Sequence, residues 1–208
     1  MDAEGDLPAV HRARILTAAL LGGGPRSFDA FRDLAQLLLG TTVLADGQFV
    51  RLSGRGGRRG DDVRVLAGVA GPTDPLLLRD GRWLRLAVTL HLDRSAGDLL
   101  RVAKSSFQYQ ADRDGDRPIF RYDFLRAPRS TEPAAHLNVY AELSVHDVLP
   151  ATRPLSRVHF PTGRVSIEAG VRLLVDDFGV PAAEAEWRSV LSVSEAALAH
   201  GVPGVVPA

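Results

Sequence analysis

The sequence predicts an α+β fold, an antiparallel meander sheet with N-terminal helices and two C-terminal helices packed on one face. Three observations predict it. Apolar residues recur at helical spacing before residue 40 and after residue 164, the stretch between alternates with period two, and the alternating runs are joined by connections too short for a helical crossover. Residues 1–208 are read as one α+β domain, with a helical part over 1–40, the meander over 41–145 and the C-terminal helices over 164–201.

Taken in order, Ala9 to Leu21 is compatible with a helix and stops at the run Gly22 to Gly24. Ser27 is the expected N-cap of a second helix, in which Phe28, Phe31, Leu34, Leu37 and Leu38 recur at i, i+3 and i+4 before Gly40 ends it. From Thr41 the period falls to two. Asp46-Gly47 lies between short β-type runs and reads as a hairpin turn, as does Asp80-Gly81. In "RWLRLAVTLHLDR", Leu84, Leu86, Val88, Leu90 and Leu92 share one face, while Trp83, Arg85, Ala87, Thr89, His91 and Asp93 share the other. Further strands are expected over Leu100 to Gln110, Pro118 to Arg126 and His136 to Leu143, with "ADRDGD" as the turn after the first of them. Ser166 caps a helix carrying Ile167, Val171, Leu174 and Phe178, closed by Gly179. Pro181 then opens the last helix in the first-turn position, where its missing N–H costs nothing, and that helix runs through Trp187, Leu191 and Leu198 to His200.

Charge and composition narrow the function classes. The 25 basic and 25 acidic side chains cancel, so no whole-molecule field draws the chain to nucleic acid or to an anionic membrane. With no cysteine there is no disulfide framework, thiolate nucleophile or sulfur-ligated metal. The start lacks the cationic end and apolar run of a secretory signal, and no stretch approaches the roughly 18 apolar residues of a membrane span. A cytoplasmic protein without membrane contact is therefore expected. Lys104 is the only lysine, so the abundance of arginine reads as a coding bias and carries little functional weight.

The chemistry-bearing residues fall on the polar side of the meander. In "AHLNVYAEL", alternation sets His136, Asn138, Tyr140 and Glu142 opposite the apolar residues. In "IFRYDFL", the aromatic residues Phe120, Tyr122 and Phe124 suit the core and leave Arg121 and Asp123 on the far face. If these strands pair, an arginine, an aspartate, a histidine and an asparagine lie in one patch, because cross-strand neighbours sit about 5 Å apart. His136 and His159, with Asp123 beside them, are the candidate proton-transfer groups; Arg121, Asn138, Tyr140 and Arg164 are the candidates for holding substrate or an anion. In "HFPTGRVSIE", the turn Pro161-Thr162-Gly163 delivers Arg164 to the free N–H groups at the Ser166 helix start, a place where an anion can rest. A solvated strand face made of ordinary polar residues is the plainer reading of the same pattern.

Other motifs are excluded or weak. His136, His146 and His159 form no H-x-H or H-x3-H pair, so no metal or other cofactor is expected. There is no phosphate-loop motif, no G-x-G-x-x-G and no G-x-S-x-G, which removes the familiar nucleotide folds and the serine-elbow acyl transferases. "RLSGRGGRRGDD" sets Arg51, Arg55, Arg58 and Arg59 among glycines, as in segments that bind RNA backbones. Asp61 and Asp62 follow at once and no aromatic residue is interleaved, so a solvated loop is the first expectation.

The segments "FQYQADRDGDRPIFRYDF", "AHLNVY" and "RVHFPTGRVSIEAGVRLLVDDFGV" resemble uncharacterised actinobacterial proteins that share a histidine-bearing strand, an "HFPTGR" turn and a following helix. More distantly, the layout of arginine-tyrosine-aspartate strand, histidine strand and C-terminal helix is similar to the small TumE-like toxins of toxin–antitoxin pairs. The resemblance covers about residues 105 to 180, and Asn138 stands where those toxins carry a second histidine. It implies an effector acting on RNA or a nucleotide, with a partner protein encoded nearby. Two functional expectations result. The first is a small interaction or regulatory module that binds such a protein partner; the alternative is a toxin-like effector or phosphate-handling enzyme acting on RNA or a nucleotide through the His/Arg patch.

Overall fold

The computed structural model describes residues 8–56, 62–128, 133–140 and 160–201. Among these, helices α1 (Pro8–Leu21) and α2 (Arg26–Gly40) precede strands β1 (Arg51–Gly56), β2 (Asp62–Ala67), β3 (Leu76–Leu77), β4 (Trp83–Asp93), β5 (Leu99–Gln110), β6 (Pro118–Leu125), β7 (Ala135–Val139) and β8 (Phe160–Pro161). Helices α3 (Ile167–Asp176) and α4 (Trp187–Gly201) complete the order. The eight strands form one antiparallel sheet in the order β1-β2-β4-β5-β6-β7-β8, with β3 paired to β4 beside β2. This is the α+β meander that the alternation predicts. No helix among the described residues is long and apolar enough to cross a membrane.

The two faces of the sheet follow from period two. On β4, Leu84, Leu86, Val88 and Leu90 are buried while the residues between them are only half-buried. Their partners on β5 are Tyr109, Phe107, Ser105 and Val102; a bulge after Thr89 lets Leu90 face Val102 and keeps the apolar set on one side. The row continues through Phe120, Tyr122 and Phe124 of β6 to Val139, Leu137 and Ala135 of β7. Onto this face pack Phe28, Leu34 and Leu38 of α2, Val171 and Leu174 of α3, and Val190 and Leu191 of α4. At roughly 2 kcal/mol for each fully buried large aliphatic side chain, this shared core is what holds the helices to the sheet.

Four local expectations are corrected. Ser27 is not a cap: α2 starts at Arg26 after Pro25, whose φ of −58° already suits a helix, and the Ser27 hydroxyl donates to the Gly24 carbonyl at 2.6 Å. Asp46-Gly47 makes a turn, with Gly47 at φ 76°, yet its flanks do not pair with each other. Instead the Gln36 side chain accepts from Val50 N–H and donates to the Gln48 carbonyl, while Leu44 bridges Leu78, so the backbone groups a hairpin would use are satisfied elsewhere. Pro181 opens no helix; Ala183 and Glu184 donate their N–H groups to the Thr42 and Thr41 carbonyls at the end of α2, and α4 begins only at Trp187. Arg51 and Arg55 lie in β1, laddered to β2, and not in a solvated loop, while Arg58 and Arg59 fall outside the described residues.

The Asp80-Gly81 hairpin forms as expected, with Gly81 at φ 82° and Leu77 opposite Trp83. Ser166 caps α3, its hydroxyl oxygen accepting from Ala169 N–H at 3.1 Å. β8 pairs Pro161, expected in a turn, with His136 at the sheet edge.

Candidate functional site

The far face of the sheet brings together four of the seven candidate residues. Arg121 lies opposite Asn138 and Asp123 opposite His136 across the β6–β7 ladder. Asp123 Oδ2 accepts from Arg121 Nε at 2.6 Å and from Asn138 Nδ2 at 3.2 Å, and His136 Nε2 stands 3.8 Å away. His136 Nδ1 is 3.0 Å from the Pro133 carbonyl oxygen. A carbonyl only accepts, so Nδ1 is the donor in this contact. Tyr140 is half-buried just beyond the strand, its N–H donating to the Ile119 carbonyl. His159 lies outside the described residues, as do Glu142 and His146.

This face is polar but not solvated, which corrects the expectation of an open hydrophilic surface. His136 is 8% exposed, Asn138 1%, Gln108 7% and Gln110 0%. Gln108 donates to Gln110, whose own amide donates to the Asp112 and Arg113 carbonyls, so the 111–117 turn is tied back over the sheet. Arg85 Nη2 donates to the Asp114 carbonyl, and Gly115 lies so close that a Cβ there would sit 2.9 Å from the guanidinium. Buried polar groups that satisfy one another in this way fix strand register.

Arg164 is not part of that patch. Its guanidinium carbon lies 5.6 Å over the Phe124 ring, and Phe124 shares a row with Ser105 and Val88 on the helix-covered face. The sheet therefore separates Arg164 from Arg121, Asp123 and His136, and these residues cannot hold one phosphate together.

What Arg164 borders is a cleft of about 580 Å³ between sheet and helices. Phe31, Leu34, Ala35 and Leu38 of α2, Val88 and Val102 of the sheet, and Ala196, Leu198 and Ala199 of α4 give it apolar walls. Small side chains at facing positions, Ala35, Ser105, Ala196 and Ala199, leave the space open. Its polar groups are Ser105, Arg164, Ser166, Glu168, Ser192 and Glu195. Glu168 is 3% exposed and accepts from the Ser194 hydroxyl at 2.6 Å, while Glu195 is paired with Arg172 at 2.9 Å. Burial, and then the charge of Arg126, hold the Arg164 guanidinium below its ordinary pKa, with Glu168 acting in the opposite sense.

Sequence reasoning named Arg164 but missed Glu168, Ser105, Ser194 and the cleft itself. A signal for two of them exists. Glu168 is three residues before Val171 on the apolar stripe of α3, and Ser194 continues the stripe Trp187, Val190, Leu191 of α4, so each is a polar residue where helical periodicity calls for an apolar one. Among the described residues no cluster of three histidine, aspartate or glutamate side chains is placed to hold a metal ion. No family model, curated protein or solved structure matches this chain.

Proposed function

We propose that the protein is a non-catalytic binding module that takes up a small, largely apolar molecule between its sheet and its helices. One observation carries the reading: the cleft of about 580 Å³, walled by apolar side chains with a few polar groups converging on it. Sites for small molecules have this size and this composition. The far-face cluster lends less support to a phosphate-handling enzyme. Asp123 is engaged by both Arg121 and Asn138, and the His136 side chain is only 10% exposed, so neither group is presented to a substrate.

The test is a fluorescence titration of the full chain with Nile red, a neutral apolar dye. Saturable one-to-one binding is expected, weakened about ten-fold or more by Ala199→Trp, which fills the cleft from an exposed position on its rim. The far-face substitution Asn138→Ser serves as the control and should leave dye affinity unchanged. Dye binding that Ala199→Trp does not alter, with the fold intact by circular dichroism, would sink the reading.

A further inference from the structure

We infer that the molecule taken up by the cleft carries an anionic head, a carboxylate or a phosphate monoester, seated against the guanidinium of Arg164 with Arg126 as a second contributor. The inference rests on the cleft being a binding site and names the chemistry of its occupant.

Two guanidinium groups flank a single aromatic ring. Arg164 stands 5.6 Å over Phe124 and Arg126 stands 5.9 Å over the same ring. Arg126 is anchored by Nε donating to the Val102 carbonyl at 2.9 Å, and Val102 is itself a wall residue of the cleft. Burial of Arg164 disfavours its charged form, and the charge of Arg126 adds to that cost. Other arginines of the chain have that cost offset: Arg172 is paired with Glu195, Arg188 with Asp176 and Arg82 with Asp80. Among the described residues neither Arg164 nor Arg126 forms an ion pair with a carboxylate. Among the described residues, Glu168 is the acidic group that bears on Arg164 electrostatically, and its Oε1 is taken by Ser194.

The arrangement is thus a half-buried cation, Arg164, with a second and exposed one, Arg126, beside the same ring at the edge of an apolar space, neither paired with a carboxylate among the described residues. A planar guanidinium binds a carboxylate or phosphate through two parallel hydrogen bonds, and that of Arg164 lies over the Phe124 ring at the cleft. An amphipathic anion supplies both missing parts, the countercharge at Arg164 and an apolar body for the walls of α2 and α4.

Calorimetric titration of the full chain with octanoate, octyl phosphate, octanol and octylamine separates the possibilities. Both anions are expected to bind about ten-fold or more tightly than octanol, with octylamine weakest. Whichever anion binds tighter identifies carboxylate or phosphate as the preferred head. Arg164→Gln should bring the anions to the level of octanol measured on the same variant, and Arg164→Lys should retain part of the preference. Equal binding of octanol and the anions by the native chain, a preference that survives Arg164→Gln, or tightest binding of octylamine would each overturn the inference. Failure of all four ligands to bind would instead remove the pocket reading beneath it.

Discussion

Gly170 of α3 lies flat against the Phe107 ring of β5, so close that a Cβ there would meet two ring carbons at 2.9 Å. Helical propensity favours alanine over glycine by up to about 1 kcal/mol, but overpacking a seated helix costs about 1–3 kcal/mol, and the clash should win. Gly170→Ala is expected to lower the unfolding free energy in urea, and Phe107→Leu in that background to recover part of the loss. A neutral or stabilising Gly170→Ala would mean that α3 is not seated on the sheet as described.

The Ser194 hydroxyl is the hydrogen-bond donor that the structure gives to Glu168 Oε1, and both residues are buried. Ser194→Ala strands a carboxylate and should cost about 1–3 kcal/mol. Glu168→Gln combined with Ser194→Ala should cost less than the two changes summed, a coupling of at least about 0.5 kcal/mol in a double-mutant cycle. Strict additivity would show that the hydroxyl and the carboxylate do not interact.

Asp123 holds the far-face cluster together by accepting from Arg121 and Asn138. Asp123→Ala leaves the nearly inaccessible Asn138 amide without that acceptor and is expected to destabilise by about 1–3 kcal/mol, less for Asp123→Asn, which keeps one oxygen. Chemical denaturation followed by circular dichroism measures both. Arg121→Gln should cost less than Asp123→Ala, since the Arg121 side chain is 37% exposed and can turn to water.

Tyr109 and Asp80 give the fold a pH signature. Burial, and then its hydrogen bond to Asp80, push the Tyr109 hydroxyl up to about 12. Burial pushes the Asp80 carboxyl up, but hydrogen bonds from Tyr109 and from the Arg82 backbone and side chain outweigh it and leave it below its ordinary value. A raised phenol stabilises the fold fully below the unfolded-state value near 10, and that contribution is lost as pH rises through about 12. A lowered carboxyl contributes above its unfolded-state value near 4, and the contribution is lost as pH falls through the folded-state value. The thermal midpoint should therefore drop in both windows, and Tyr109→Phe should flatten the alkaline one. An alkaline limb unchanged in Tyr109→Phe would reject this assignment.

The alternation in β4, and the gathering of Arg121, Asp123, His136 and Asn138 on one face, were legible because a face assignment needs only the pleat and the pairing of strands; the register that sets Arg121 opposite Asn138 was not. Burial of that same face was not legible. Period two says on which side Gln110 lies, not that the next seven residues turn back and bond its amide. The Asp46-Gly47 and Pro181 signals failed because distant partners, the Gln36 side chain and the Thr41 and Thr42 carbonyls, captured backbone groups that local rules assign to a hairpin or a first helical turn. The cleft was invisible for another reason. It is built from what three separated segments lack, the bulk missing at Ala35, at Ser105 and at Ala196 and Ala199, and no local pattern records an absence shared across the chain.

β4 has hydrogen-bonded neighbours on both edges, β5 along its whole length and β3 and β2 in succession on the other side. Such a strand is a stiff rail. Breathing motions that would admit the guest proposed for the cleft beside Val88 would come from the helical roof, whose pieces are held mainly by side-chain packing and can lift without breaking a ladder. Entry and escape of such a guest would then be a matter of how readily α2 and α4 part, while the floor of the cleft keeps its shape.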